Sequence, residues 1–474
     1  MPTVRLQFGE WLPDQPAVAP SMRDALNVVP IAAGYGPFPT SADYTNEASE
    51  TLLNIGTVKF RGTTQLFAGG ATKLFKFNSS TLNLDDVSKS GGYNTASWDF
   101  EQFGDVLLAA NNVDKIQAWQ TGTSTAFADL SSTAPVARFL AIVRDFVVAA
   151  NLDNGTNPNK VQWSNIADET DWTPGNASQS DFQLIPDGGN ITGITGGEFG
   201  IIFLERSIVR MSYIGSPLFF QFDTISRNLG CKYSGTVTQY GQMAYFLSDD
   251  GFYGCDGHQV AAIGNERVDR YFYSTVDLNK ADTITSAIDP IRKLVVWNYP
   301  TVSQTRSLLI YNWHLQKWSH ADTLADYIVS AASSGYTLEA LDAFGNLDTL
   351  TSSLDSPLWT GGKFLFAGVR GKKIVTFTGE NMTASLVTSD MEQGYNSVAV
   401  LARAQIDNGS STVAVASRKE LDDTITYSSP AITSQEGRAS IRSHGRYHRF
   451  RVVPTGNWTS AIGVDVDFAD QGNR

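Results

Sequence analysis

Thr236-Val237-Thr238-Gln239-Tyr240-Gly241-Gln242-Met243-Ala244-Tyr245-Phe246-Leu247-Ser248-Asp249-Asp250-Gly251-Phe252-Tyr253-Gly254-Cys255-Asp256-Gly257-His258-Gln259-Val260-Ala261-Ala262-Ile263 is the stretch that decides the fold. It reads as four short strands: Thr236–Gln239, Met243–Leu247, Phe252–Cys255 and Gln259–Ile263. Tyr240-Gly241 turns the chain once, and Asp250-Gly251 and Asp256-Gly257 turn it twice more, because Asp-Gly supplies the positive φ that tight hairpins need. Four antiparallel strands in a meander make one blade of a propeller.

Working outward, the same unit recurs with drifting sequence. Ile284–Ile288, Lys293–Asn298, Ser307–Asn312 and Lys317–His320 form a second full copy. Its run Leu294-Val295-Val296-Trp297 is continuous rather than alternating, as expected of a strand covered on both faces. Partial copies start near 64, 105, 145, 200 and 336, giving a period of roughly 40–55 residues, which is a propeller repeat. The expected fold is therefore all-β: a propeller of about seven blades, with six to eight possible, over residues 56–352. Trp119, Trp163, Tyr311 and Trp318 fall near third or fourth strands and are expected to pack between blades. Residues Val268–Lys280 are left for a short helix or an irregular excursion.

The chain changes character outside the repeat. Residues 1–55 carry Pro13, Pro16, Pro20, Pro37 and Pro39 among glycines, so this segment is extended and needs a surface to lie on. Residues 353–474 alternate apolar and polar positions in strands such as Val398–Gln405, Thr412–Ser417, Arg446–Val453 and Gly463–Phe468. They are expected to form a β-sandwich platform together with the N-terminal segment.

Composition narrows the function classes. The chain has 474 residues, 41 glycines and a formal charge of −13, an acidity that argues against wrapping nucleic acid. No apolar run is long enough to cross a membrane as a helix, and Met1–Arg5 opens without a secretory apolar core. The two cysteines, Cys231 and Cys255, are expected as buried thiols, although they could meet.

A search for chemistry finds little. Five histidines show no metal-binding spacing, and no cofactor loop is present, so neither a metal nor a cofactor is expected. Asp465-Val466-Asp467 places two carboxylates on one strand face, which fits a solvated edge better than a calcium site. Asp249, Glu266, Asp269 and Asp289 are the carboxylates that a glycosidase propeller could place near its axis. The expectation is nevertheless that the protein is not an enzyme. One basic cluster, Arg438, Arg442, His444, Arg446, His448, Arg449 and Arg451, stands against the acidic average. It suits either a solvated edge or a contact with an acidic partner.

Three stretches carry a resemblance: Gly9-Glu10-Trp11-Leu12-Pro13-Asp14 with Arg23–Pro30 and Gly34–Pro39; Leu229-Gly230-Cys231 with Val260–Val268; and Gly445–Val453 with Ile462–Phe468. Together they resemble the tail hub or nozzle proteins, also called packaged-DNA stabilisation proteins, of short-tailed bacteriophages (podoviruses). The resemblance implies a structural virion protein, assembled in the host cytoplasm as a ring, commonly a homohexamer. It implies a portal-adaptor partner above, a tail fibre, spike or needle protein below, and passage of double-stranded DNA without sequence recognition. Trp11, Tyr35, Phe38, Arg442, Arg446, Arg449 and Arg451 are then the candidates for the oligomer or adaptor interface. The alternative is a carbohydrate-binding or depolymerising propeller.

Overall fold

A computed structural model of the chain describes residues 3–175, 178–335 and 361–470. Among them, six four-stranded antiparallel sheets stand separately, and a further four-strand meander continues into a larger sheet of 14 strands. The six separate blades are headed by Leu52–Phe60, Asp99–Phe103, Ala137–Val143, Ile191–Thr195, Thr238–Tyr240 and Tyr327–Ala332. The merged meander, Thr285–Asp289 to Lys317–Thr323, takes its place between the last two of these, so the ring has seven units.

The ring closes because each second strand is apolar on both faces. In Val106–Ala110, Leu107 and Ala109 pack with Phe67 and Trp119 toward the preceding blade. Val106, Leu108 and Ala110 pack with Val147 and Ala149 of the following one. Leu294–Pro300 repeats the pattern: Val295 and Trp297 face Leu247 and Phe252, while Leu294 and Val296 face Ile328 and Phe366. Alternate residues of one continuous apolar run thus serve two inter-blade cores, and each such side chain contributes roughly 1.5–3 kcal/mol on burial. The four expected aromatics behave as read. Trp119 meets Phe67 at 5.2 Å and Trp163 meets Phe220 at 5.1 Å. Tyr311 meets Tyr245 at 6.3 Å and Trp318 meets Phe252 at 5.5 Å. Where the second strand Thr63–Gly70 passes Trp98 of the next blade, only glycine fits: a Cβ on Gly69 would lie 2.3 Å from Trp98.

The blade at 236–263 is built as the sequence reads, from Thr238–Tyr240, Met243–Leu247, Phe252–Cys255 and Val260–Ala262. A short helix, Asp269–Thr275, and a 3-10 turn, Leu278–Thr283, fill the excursion after it. Cys231 and Cys255 are buried free thiols.

The last blade differs from expectation. The copy expected at Tyr336–Leu350 lies outside the described residues, as does the boundary expected at 352/353. The blade is assembled instead from Tyr327–Ala332, Phe364–Arg370, Lys373–Thr376 and, as its fourth strand, Ala42–Asp43 from the N-terminal segment. That strand is too short to be recognised alone; Asp43 is held by Lys373 at 2.9 Å and by Arg370. The ring is therefore latched by the segment that precedes it.

The remaining strands form the large sheet. Thr3–Gln7 pairs with Ser460–Asp470, and Met22–Leu26 pairs with Ser385–Thr388. Arg438–Thr455 pairs with Met391–Asp407, Ser410–Arg418 and Ser385–Thr388. The platform expected as a sandwich is thus one hydrogen-bonded sheet. Register shifts between Glu392 and Ser397 and between Ala399 and Leu401 bend it, as bulges do, so that Val413, Phe450, Val464 and Phe468 share one core with Phe8 and Trp11. A parallel bridge from Leu26 to His320 joins this sheet to the outer strand of the merged blade.

Candidate functional site

Two places gather functional side chains: the seam where the chain ends meet, and the propeller axis.

At the seam, the N-terminal stretch is fastened by complementary polar groups. Asp14 accepts from the backbone N–H of Arg270 at 2.9 Å and of Tyr271 at 2.8 Å, capping the short helix from a distant part of the chain. Trp11 is buried, stacks on His320 at 4.6 Å, and donates its indole N–H to the Arg23 carbonyl. Tyr35 is buried with its hydroxyl on the Gly9 carbonyl, and Phe38 is buried against Phe377. These three expected interface residues therefore bind the N-terminal segment to its own chain and present no surface. The tight Ile31–Gly34 hairpin that places Tyr35 requires glycine, since Gly34 has φ +93 and a Cβ there would meet the Ala461 carbonyl.

The basic cluster divides along the same seam. Arg449 is buried and grips Asp390 through Nε at 3.0 Å and Nη2 at 2.6 Å; Arg418, also buried, takes the same carboxylate. Arg23 lies close by, donating to the Gln15 and Pro13 carbonyls, and burial lowers its pKa, helped by the Arg449 charge. His448 is wholly buried between Ser397 Oγ at 2.9 Å and Ser417 Oγ at 2.7 Å, and burial presses its pKa down to about 4. Arg449 thus acts as internal structure. Arg442, Arg446 and Arg451 remain exposed; Arg446 pairs with Glu392, and Arg451 lies over the Tyr427 ring at 3.8 Å. At the opposite edge Asp465 is bound by Arg5 at 2.7 Å and Asp467 accepts from the Thr3 hydroxyl, so both tie down the first strand.

At the axis, the starting ends of all seven first strands surround a cavity of about 740 Å³. Thr51–Leu53, Ala96–Asp99, Glu101, Arg138–Leu140, Thr192–Gly196, Val237–Gln239, Asp282–Ser286, Arg306, Asp326 and Tyr327 contribute to its wall. Asp99 accepts from the Leu140 N–H at 2.7 Å across neighbouring blades, and burial raises its pKa to about 6. Glu101, two residues on along the strand, is pushed up to about 8 by burial and by the Asp99 charge. Arg138 reaches over to Ser234 Oγ at 2.9 Å, and Arg306 bonds Asn298 and Thr283. Burial lowers the pKa of both guanidiniums.

The carboxylates expected near an axis do not reach it. Asp289 organises a turn with Arg292, Glu266 pairs with Arg270, Asp249 accepts from Ser248, and Asp269 accepts from the Phe252 N–H with its pKa raised to about 7 by burial. The axial residues were missed because the repeat is most legible in second and third strands. A charged residue at the head of a first strand, such as Asp99 or Arg138, was the available signal.

The fold defines a β-propeller fused to a large bent sheet. No protein-family model and no curated protein matches the sequence. Among solved structures, the chain is similar to the computationally designed Ika8 protein, at 11% identity and a TM-score of 0.39, covering 72% of this chain and 100% of that one. It is also similar to the extracellular domain of a hybrid two-component system of B. thetaiotaomicron, at 10% identity and a TM-score of 0.41, covering 86% of this chain and 48% of that one.

Proposed function

We propose that the chain is the tail hub or nozzle subunit of a short-tailed bacteriophage. In this reading it assembles as a ring, probed first as a hexamer, beneath a portal-adaptor, extends the DNA conduit, and anchors fibres or a needle. The observation that carries the proposal is the meeting of the chain ends. Thr3–Gln7, directly ahead of the first stretch that bears the resemblance, pairs residue by residue with Gly463–Asp467, which lies inside the last such stretch. A sheet made from both ends and hung on the side of a rigid propeller is suited to act as a platform, with the propeller as an outer lobe. The net charge of −13 also suits a conduit wall, because like charge repels DNA phosphates and keeps passage free of sticking. Arg442, Arg446 and Arg451 are exposed basic groups of the platform and the contacts to test first. Native mass spectrometry of the chain mixed with the portal and adaptor proteins of its own genome is the test. A complex carrying six copies is expected; a chain that stays monomeric in that mixture overturns the reading.

A further inference from the structure

Independently of the tail reading, the axial cavity has the features of a binding site rather than of a filled ring centre. Its first feature is two half-buried guanidiniums, Arg138 and Arg306, in the wall, neither of which forms a salt bridge among the described residues. Arg138 uses one of its donors on Ser234, while Arg306 bonds Asn298 and Thr283 and feels the charge of Asp326, which also lines the wall. Arg138 thus keeps guanidinium donors free toward the cavity, with Arg306 in the same wall, and such donors suit a carboxylate from outside. The second feature is independent of charge. Thr195, 6% exposed and part of the cavity wall, has a buried hydroxyl with no hydrogen-bond partner. A buried polar atom left unpartnered is destabilising unless something occupies it. The third feature is size: about 740 Å³ falls within the range of small-molecule pockets.

The rest of the wall selects among anions. Asp99 and Glu101 stand on one strand beside Arg138 on the next. A dianionic phosphate would be repelled by those carboxyls, whereas a monoanion rich in hydroxyls would bond to them. Phe139 and Val237 add apolar surface against which C–H faces pack. We propose that the axial cavity binds an acidic sugar residue, a hexuronate, with its carboxylate on Arg138 and Arg306 and its hydroxyls on Asp99, Glu101 and Thr195.

Isothermal titration of the full chain at pH 7 with sodium glucuronate, glucose and inorganic phosphate tests this. Glucuronate is expected to bind at least tenfold more tightly than either glucose or phosphate. Arg138→Met is expected to weaken it at least tenfold, and Thr195→Val several-fold, with thermal unfolding confirming that each variant is folded. Should Arg138→Met fail to fold, Thr195→Val, a near-isosteric change, carries the test. Equal binding of glucose, tighter binding of phosphate, no binding of glucuronate, or an unchanged affinity in folded variants each overturns the proposal.

Discussion

Replacing Asp390 by asparagine probes the seam where the chain ends meet. Asp390 follows the strand Ser385–Thr388, its side chain has no exposure, and it accepts from Arg449 at 3.0 and 2.6 Å and from Arg418. Asparagine keeps the shape but removes the anion that these two buried guanidiniums share in the seam. Removing one partner of a buried pair costs about 3–5 kcal/mol. Two cations depend on this anion, so Asp390→Asn should fall in the upper half of that range. Arg449→Met leaves Asp390 with Arg418 and should cost less, about 1.5–3 kcal/mol, the worth of hydrogen bonds to a charged group. Replacing all three with apolar residues (Asp390→Leu, Arg418→Met, Arg449→Met) removes both the attraction and the desolvation cost, and should recover most of the loss. Urea unfolding followed by tryptophan fluorescence reports the seam, since Trp11 and Trp458 are buried in its core. A loss below about 1 kcal/mol for Asp390→Asn, the value of an exposed pair, would refute the reasoning. So would a triple variant as unstable as Asp390→Asn.

Three further outcomes are expected. His448 titrates near 6.5 unfolded but at about 4 folded, so between these values only the unfolded chain takes up the proton. Stability should therefore fall by up to ~3 kcal/mol as pH drops from about 6.5 to about 4, then level off, and His448→Gln should flatten that part of a urea-midpoint against pH curve. Gly69→Ala drives a methyl against Trp98, 2.3 Å away, and should cost about 1–3 kcal/mol in thermal unfolding, because two packed blades must separate to admit it. Asp43→Lys sets a cation against Arg370 and Lys373 at the latch, and should speed amide hydrogen exchange at Val375 and Thr376 about tenfold while leaving distant blades unchanged.

The blades were legible because each obeys local rules. Asp250-Gly251 and Asp256-Gly257 announce hairpins, and Leu294–Trp297 announces a strand buried on both sides. The last blade was not legible, because its fourth strand is the two-residue Ala42–Asp43 and its partners lie more than 300 residues away. Nothing in a short window of sequence encodes that pairing. The platform failed in a similar way. Its strands were visible, but whether they divide into two layers or bend as one sheet depends on register shifts near Glu392 and Ala399. The basic cluster misled in part because its members were read together, as one surface feature. The structure buries Arg449 against Asp390 and leaves Arg451 outside. The axial carboxyls and guanidiniums come from separate blades and converge only when the ring closes.

The central claim is that this chain is one copy of a ring set beneath a portal and adaptor. The most direct test is electron microscopy of the assembly formed when the three proteins of one genome are produced together. The account predicts a closed ring on the adaptor, each subunit showing its large sheet toward the adaptor and its propeller as an outer lobe. A portal-adaptor complex without added density, beside free single copies of this chain, would contradict it.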